Sequence, residues 1–208
     1  GAAWQIHTWT HAAGKQQLTY ASGDSRNPAV SGDRVAWRQW DGSDFEIWQW
    51  DPAFGLQQLT YNGIDDHSVR VSGDRIAWLG DDPGLGMESD VYTWRVGEYA
   101  PGSPSPMPSR LTDNEIDEGG LNVSGDRLVW HAEDLATSFE VFTWSPLTGV
   151  TQLTLNDSLD EAPSVSGDRI VWMGVDGDYE TMTAIPTIAP IYRFYNFTNN
   201  THFYTDSP

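Results

Sequence analysis

Four aspartates, Asp24, Asp65, Asp117 and Asp160, recur in the loop ahead of each copy of a Val-Ser-Gly-Asp-Arg segment. Read as one series, they could form a ring of hard oxygen ligands, and Ca²⁺, which accepts many oxygens in irregular geometry, is the cation that suits them. The same residues fit a local role, because an aspartate in a turn accepts hydrogen bonds from nearby backbone amides. Asn62, Asn114 and Asn156, just upstream of three of them, favour the local role, and Ala21 interrupts that second series. A further acidic group comprises Asp41, Asp44 and Glu46, with a counterpart at Asp176, Asp178 and Glu180. Its spacing suits a cation but lacks the full calcium-loop pattern, so it reads as solvated hairpin acids.

Enzyme chemistry has little support. The histidines, His7, His11, His67, His131 and His202, show no metal-ligand spacing and no nucleophile motif with serine, and glycine-rich phosphate loops are missing. With no cysteine in the chain, thiol chemistry and disulfides are excluded. No residue is assigned a catalytic role and no cofactor is required, calcium being the one candidate cofactor.

Charge narrows the partners further. The chain has 208 residues and a net charge of −19, with Lys15 as its single lysine. Such a surface repels phosphate backbones and anionic lipid, which argues against nucleic acid and membrane surfaces. Apolar stretches are too short to span a bilayer. The start at Gly1 without a leader suggests a processed mature chain.

The elements that must position these residues come from an internal repeat. Val-Ser-Gly-Asp-Arg begins at Val30, Val71, Val123 and Val165, and the long middle interval holds a proline-rich insertion from Tyr99 to Pro108. Without that insertion the period is 41–42 residues, and each unit reads as four short strands. A first strand ends at Val-Ser and a Gly-Asp hairpin follows. The second strand carries Val35-Ala36-Trp37 or its equivalents, the third Glu46 to Trp50, and the fourth ends in Gln58-Leu59-Thr60. Four strands per repeat predict an all-β propeller of about four blades. Units start near residues 28, 69, 121 and 163 after an N-terminal half-blade over 4–20; the propeller spans 1–187, and 188–208 form a linker and β-hairpin.

The two ends do not match neatly, since Gln5 to Trp9 and Asp178 to Thr183 both resemble the third strand. Three complete units and two half-units make four blades if the N-terminal strands pair with the C-terminal ones and close the ring; one of the two copies is then surplus, sits at an edge or pairs with another molecule, and an unpaired strand is a template for association. Trp37, Trp78, Trp130 and Trp172 recur at one strand position, and Trp9, Trp50, Trp94 and Trp144 at another, as packing between blades requires. Trp4, Trp40 and Trp48 break the pattern. Trp4 and Trp40, with Tyr192, Phe194, Tyr195, Phe203 and Tyr204 of the C-terminal hairpin, are the candidates for partner contact.

With Val-Ser-Gly-Asp-Arg-Ile-Val-Trp, Glu-Ile-Trp-Gln-Trp-Asp and Gln-Leu-Thr-Tyr-Asn in view, residues 4 to about 185 resemble the TolB-like propeller repeats of bacterial and archaeal cell-surface proteins. Tyr192-Arg-Phe-Tyr and His202-Phe-Tyr-Thr look like the opening of a module found on secreted bacterial proteins. Together the resemblances imply a propeller at the cell surface or outside the cell, with no reaction attached. The expectation is a non-enzymatic structural or adhesive module that contacts copies of itself or other surface proteins and assembles into filaments by strand or hairpin exchange. The alternative is a propeller that binds glycans or calcium; a polysaccharide lyase or hydrolase is a more distant one.

Overall fold

The computed structural model describes residues 2–82, 88–99, 105–133, 138–175, 179–184, 192–196 and 201–205, with side chains for all but Asp82 and the last three segments. Regular structure among them is entirely β-strand. The chain forms two compact units, Gly1–Asp113 and Asn114–Pro208.

In the first unit, β1 (His7–Thr10) and β2 (Gly14–Gln17) make a two-stranded hairpin. A four-stranded antiparallel sheet follows in sequential order, β3 (Ser25–Ser31), β4 (Arg34–Trp40), β5 (Phe45–Asp51) and β6 (Gly55–Gln58). The next sheet repeats it with β7 (Asp66–Ser72), β8 (Arg75–Asp82), β9 (Glu88–Arg95) and β10 (Ser109–Arg110). In the second unit, β11 (Glu118–Ser124), β12 (Arg127–Glu133), β13 (Phe139–Ser145) and β14 (Gly149–Gln152) form a third such sheet. After it come a three-stranded sheet, β15 (Asp160–Ser166), β16 (Arg169–Val175) and β17 (Tyr179–Ala184), and a hairpin, β18 (Tyr192–Asn196) with β19 (Thr201–Thr205).

The repeated motifs have physical reasons. In the first, Ser31 pairs with Arg34 across a two-residue turn whose first residue, Gly32, has φ +58°, a conformation only glycine adopts without strain. Its serine and arginine also reach the next sheet of the same unit. The Gly73 amide donates to Ser31 Oγ at 3.0 Å, and Arg34 Nε donates to the Gly73 carbonyl at 3.2 Å. In the second unit the Gly167 amide donates to Ser124 Oγ at 2.9 Å. The terminal Leu-Thr is equally purposeful: the Leu59 amide bonds the Ile47 carbonyl, and where that ladder stops the Thr60 hydroxyl accepts the Ile47 amide, both at 2.8 Å. Thr19, Thr112 and Thr154 do the same for Ile6, Val91 and Val141.

Packing between sheets within each unit alternates small against large. Ala36, Ile47 and Leu59 of the β3–β6 sheet meet Val69, Ile76, Trp78 and Trp94 of the next. Ile6 of the N-terminal segment packs on Val35 and Trp37, and in the second unit Val129 and Val141 meet Ile170 and Trp172. The expectation that eight tryptophans serve this packing needs one correction: Trp9 is 67% exposed. Among the described residues its strand β1 pairs with β2 alone, and Trp9 lies outside the buried cluster that Ile6 forms with Val35 and Trp37. Trp50 and Trp144 are half-buried, and the other five are buried.

Trp78 is the test of this wedge, since nothing of its ring reaches solvent. Trp78→Ala should destabilise the chain by about 3–5 kcal/mol, read as a lower midpoint in urea denaturation.

Candidate functional site

The strand register separates the four aspartates of the series. Asp24, Asp65 and Asp117 stand just ahead of their first strands, whereas Asp160 begins β15 and pairs with Gly174, as Asp66 begins β7 and pairs with Gly80. Asp160 is therefore the equivalent of Asp66, one position nearer its valine. Asp24 Oδ1 accepts the Trp4 amide and Asp65 Oδ1 accepts the Phe45 amide, each at 2.9 Å. These bonds tie the start of one third strand to the loop before the next sheet. The Trp4 amide is the main reason that Asp24 sits below the usual carboxylate range.

Asp66 and Asp160 do something else. Each is buried, receives a tryptophan N–H on one oxygen (Trp78 at 3.0 Å, Trp172 at 2.9 Å) and an asparagine amide on the other (Asn62 at 3.1 Å, Asn156 at 2.8 Å). The asparagine backbone amides donate in turn to Glu46 and Glu140. Asn62 and Asn156 also close their own turns by accepting the amides of Ile64 and Ser158. Gly80 leaves the room this needs, since a Cβ there would lie 2.9 Å from the Asp66 carboxylate. Burial pushes Asp66 up to about 7, against the pull of its donors Thr60, Asn62 and Trp78 and with the help of the Glu46 charge.

The second acidic group is not a set of solvated hairpin acids. Asp41 is exposed, but Asp44 is 8% and Glu46 1% exposed, and the Phe45 amide between them donates to Asp65 in the loop ahead of the next sheet. An oxygen from each of the three carboxylates lies within 4.8 Å of the others. Asp41 Oδ1 accepts the Ser43 amide and hydroxyl, which lowers its pKa, whereas burial raises those of Asp44 and Glu46. The counterpart residues Asp176 and Asp178 lie outside the described residues, as does the side chain of Glu180.

A constellation that sequence spacing did not reveal surrounds His67. Its Nε2 lies 2.9 Å from Asp81 Oδ1 and its Nδ1 3.0 Å from Ser68 Oγ, while the Ser89 hydroxyl donates to the same Asp81 oxygen at 2.8 Å. A proton on Nε2, facing the carboxylate, leaves Nδ1 to accept from serine. The only signal was the ladder: Asp81 lies two residues past Leu79, the partner of His67. Ser68 occupies a bulge with φ +52°, and Asn27, Gly120 and Ala162 take the same conformation at the same place in the other first strands. The strain there belongs to the repeat. Beside His67 opens a cavity of about 430 Å³, lined by Asn27, Arg38, Ser68 and Arg70 among others. Two arginines and no carboxylate in its lining make it a cationic spot on an acidic chain.

Of the aromatic candidates, Trp4 is 68% exposed, and Trp40 is at the edge of exposure with its ring set edge-on to Phe45. The side chains of Tyr192, Phe194, Tyr195, Phe203 and Tyr204 lie outside the described residues, although β18 and β19 pair from Tyr192↔Thr205 to Asn196↔Thr201.

No protein-family profile and no curated protein matches the chain. Solved structures do. It is similar to a putative TolB from Agrobacterium tumefaciens at 14% identity and TM-score 0.57, covering 98% of this chain and 74% of that one. The β-propeller domain of the Trilobed protease from Pyrococcus furiosus, described as having an open velcro topology, matches at 11% identity and TM-score 0.55, over 82% of this chain and 51% of that one. A chain from the structure of Kap60 bound to yeast RCC1 matches at 8% identity and TM-score 0.54, over 82% and 46%. This chain thus spans about half the length of the latter two. At these identities the likeness shows the fold, an all-β propeller type of about four blades with TolB-like neighbours.

The buried Asp66 carries a pH dependence. Its protonated form is the cheaper one to bury, so the native state holds a proton that the unfolded chain has lost above the ordinary value of 3.8. The stabilisation is whole below that value and is lost as pH rises through about 7. In chelator-containing buffer, the urea midpoint of the wild type should fall further between about pH 4 and about pH 8 than that of Asp66→Asn. Equal falls would assign the dependence to other groups.

Proposed function

We propose that the chain is an extracellular, non-enzymatic propeller module that works as a structural or adhesive unit, binding other protein and further copies of itself through open sheet edges. The observation that carries this reading is the state of its terminal sheets. In complete sheets the third strand is covered on both sides, as β5 is by β4 and β6. Among the described residues β17 hydrogen-bonds in a ladder to β16 alone, with β18 of the C-terminal hairpin lying beside it, and β1 pairs with β2 alone. An outer strand keeps a row of backbone donors and acceptors that a strand from another chain can satisfy, the mode of recognition called β-augmentation. The hairpin β18–β19 is too small to be stable alone and suits exchange between subunits. Exposed Trp4 and Trp9 add apolar contact area near the same end as β1.

Two likenesses support the reading without extending it. RCC1 is seen bound by another protein, Kap60, and the Pyrococcus propeller domain has an open topology of its own. If the exchange operation does not close, copies add without limit and a filament results.

Light scattering after size exclusion at micromolar concentration tests the proposal. The full chain should run as assemblies larger than one chain, and deletion of residues 191–208 should yield a folded monomer with an unchanged far-UV spectrum. A monomeric full chain, or assembly untouched by the deletion, would overturn it.

A further inference from the structure

Buried carboxylate oxygens without a hydrogen-bond partner recur in this fold, at Glu88, Asp90 and Glu140 among others, but among the described residues only at the β4–β5 hairpin do two of them converge with a third carboxylate. Asp44 Oδ1 and Glu46 Oε2 are buried and have no hydrogen-bond partner. Glu46 Oε1 is already taken by the Asn62 amide, and Asp65, whose charge adds to that on Asp44, accepts the Phe45 amide lying between the two ligating positions. Among the described residues no lysine, arginine or histidine nitrogen forms an ion pair with Asp41, Asp44 or Glu46.

The neighbouring sheet shows one way in which such a position is served, although Asp90 Oδ1 there, like Glu140 Oε2 in the second unit, stays buried without a hydrogen-bond partner. Asp90 in β9 occupies the place of Glu46 in β5, since the next residues, Val91 and Ile47, make the same bonds to Thr112 and Thr60. There the acid meets the guanidinium of Arg110. The residue matching Arg110 in the first sheet is Gln58, whose amide is spent on the Thr60 carbonyl. One sheet therefore supplies its own cation and the other does not. In the second unit Glu140 takes the same place, but Ser138 stands where the first sheet has Asp44, so no carboxylate cluster forms there among the described residues.

We propose that Asp41, Asp44 and Glu46 bind a calcium ion at the β4–β5 hairpin. The ion fills the role that Arg110 plays beside Asp90. An ion about 2.4 Å from each oxygen holds oxygens up to about 4.8 Å apart, which is the limit of their separation here. The donors are all carboxylate oxygens, which select a hard cation over zinc or copper, and Ca²⁺ tolerates an irregular set completed by water better than Mg²⁺ does. Asp44 immediately precedes β5 and Glu46 is its second residue, two positions on, so the pair falls on one side of the extended chain, while Asp41 is brought round by the turn that its own Oδ1 closes through Ser43. This site differs in place and residues from a ring of loop aspartates.

The test is calorimetric titration of CaCl₂ into the chelator-stripped full chain, with thermal melts in EDTA and in millimolar CaCl₂. The wild type should bind calcium and melt higher as its concentration rises, with excess MgCl₂ failing to substitute. Glu46→Gln should lose the calcium response. Asp41→Asn, an exposed change that keeps the turn-closing oxygen, should fold normally and weaken calcium binding about tenfold or more. Asp24→Asn should behave as wild type. No calcium-dependent heat or melting shift in the wild type, or a response that Asp41→Asn keeps and Asp24→Asn loses, would overturn the assignment.

Discussion

Everything else in this molecule depends on how an indole fills the wedge between one β-sheet and the next. A single four-stranded sheet of this size has two faces and no core, so it is stable only when both are covered. The second strand meets that constraint with a small residue on one face and a tryptophan on the other. Ala36 leaves space where Trp78 arrives from the following sheet, and both are fully buried. Around this contact the Ser-Gly-Asp-Arg turn acts as a clamp. Ser31 and Arg34 hold the next turn at Gly73, and Arg34 is itself held at 2.5 Å by the buried carboxylate of Asp51.

Burying so many acids is the unusual part. Asp66, Glu46, Asp90, Glu118, Glu140 and Asp160 are all sequestered. An isolated ionised carboxylate in such a place costs several kcal/mol unless it is paired, hydrogen-bonded or protonated. The chain uses each remedy in turn. Asp160 accepts bonds from Trp172 and Asn156, Asp90 faces Arg110, and Asp66 moves its titration towards neutrality. Asp44, Glu46, Asp90 and Glu140 each keep an oxygen with no hydrogen-bond partner, and among the described residues only the hairpin pair has a third carboxylate beside it, which is what makes a cation from solution the natural completion there.

The terminal sheets link this architecture to function. A repeat stabilises itself by stacking on its neighbours, so its outermost members are its least satisfied. Among the described residues β1 pairs with β2 alone and β17 is laddered to β16 alone beside β18, and Trp9 on β1 is exposed where Trp94 on β9 is buried. Such edges either gain a strand or remain reactive.

Much of the fold was legible in the residues alone. The 41–42-residue period, the glycine that each hairpin turn needs and the recurrent Leu-Thr together determine strands, turns and blade type, because backbone geometry and hydrogen-bond closure act over a few neighbouring residues. Burial was not legible there. Asp44 and Glu46 look like surface acids, and Asp160 like a member of the Asp24 series, until the register places them. Trp9 carries the same local signal as Trp94, yet one is exposed and the other buried. Only the tertiary structure decides such cases, as it does the meeting of Ser68, His67 and Asp81, because exposure and long-range contact depend on which sheet lies opposite, and no stretch of chain encodes its neighbour within itself.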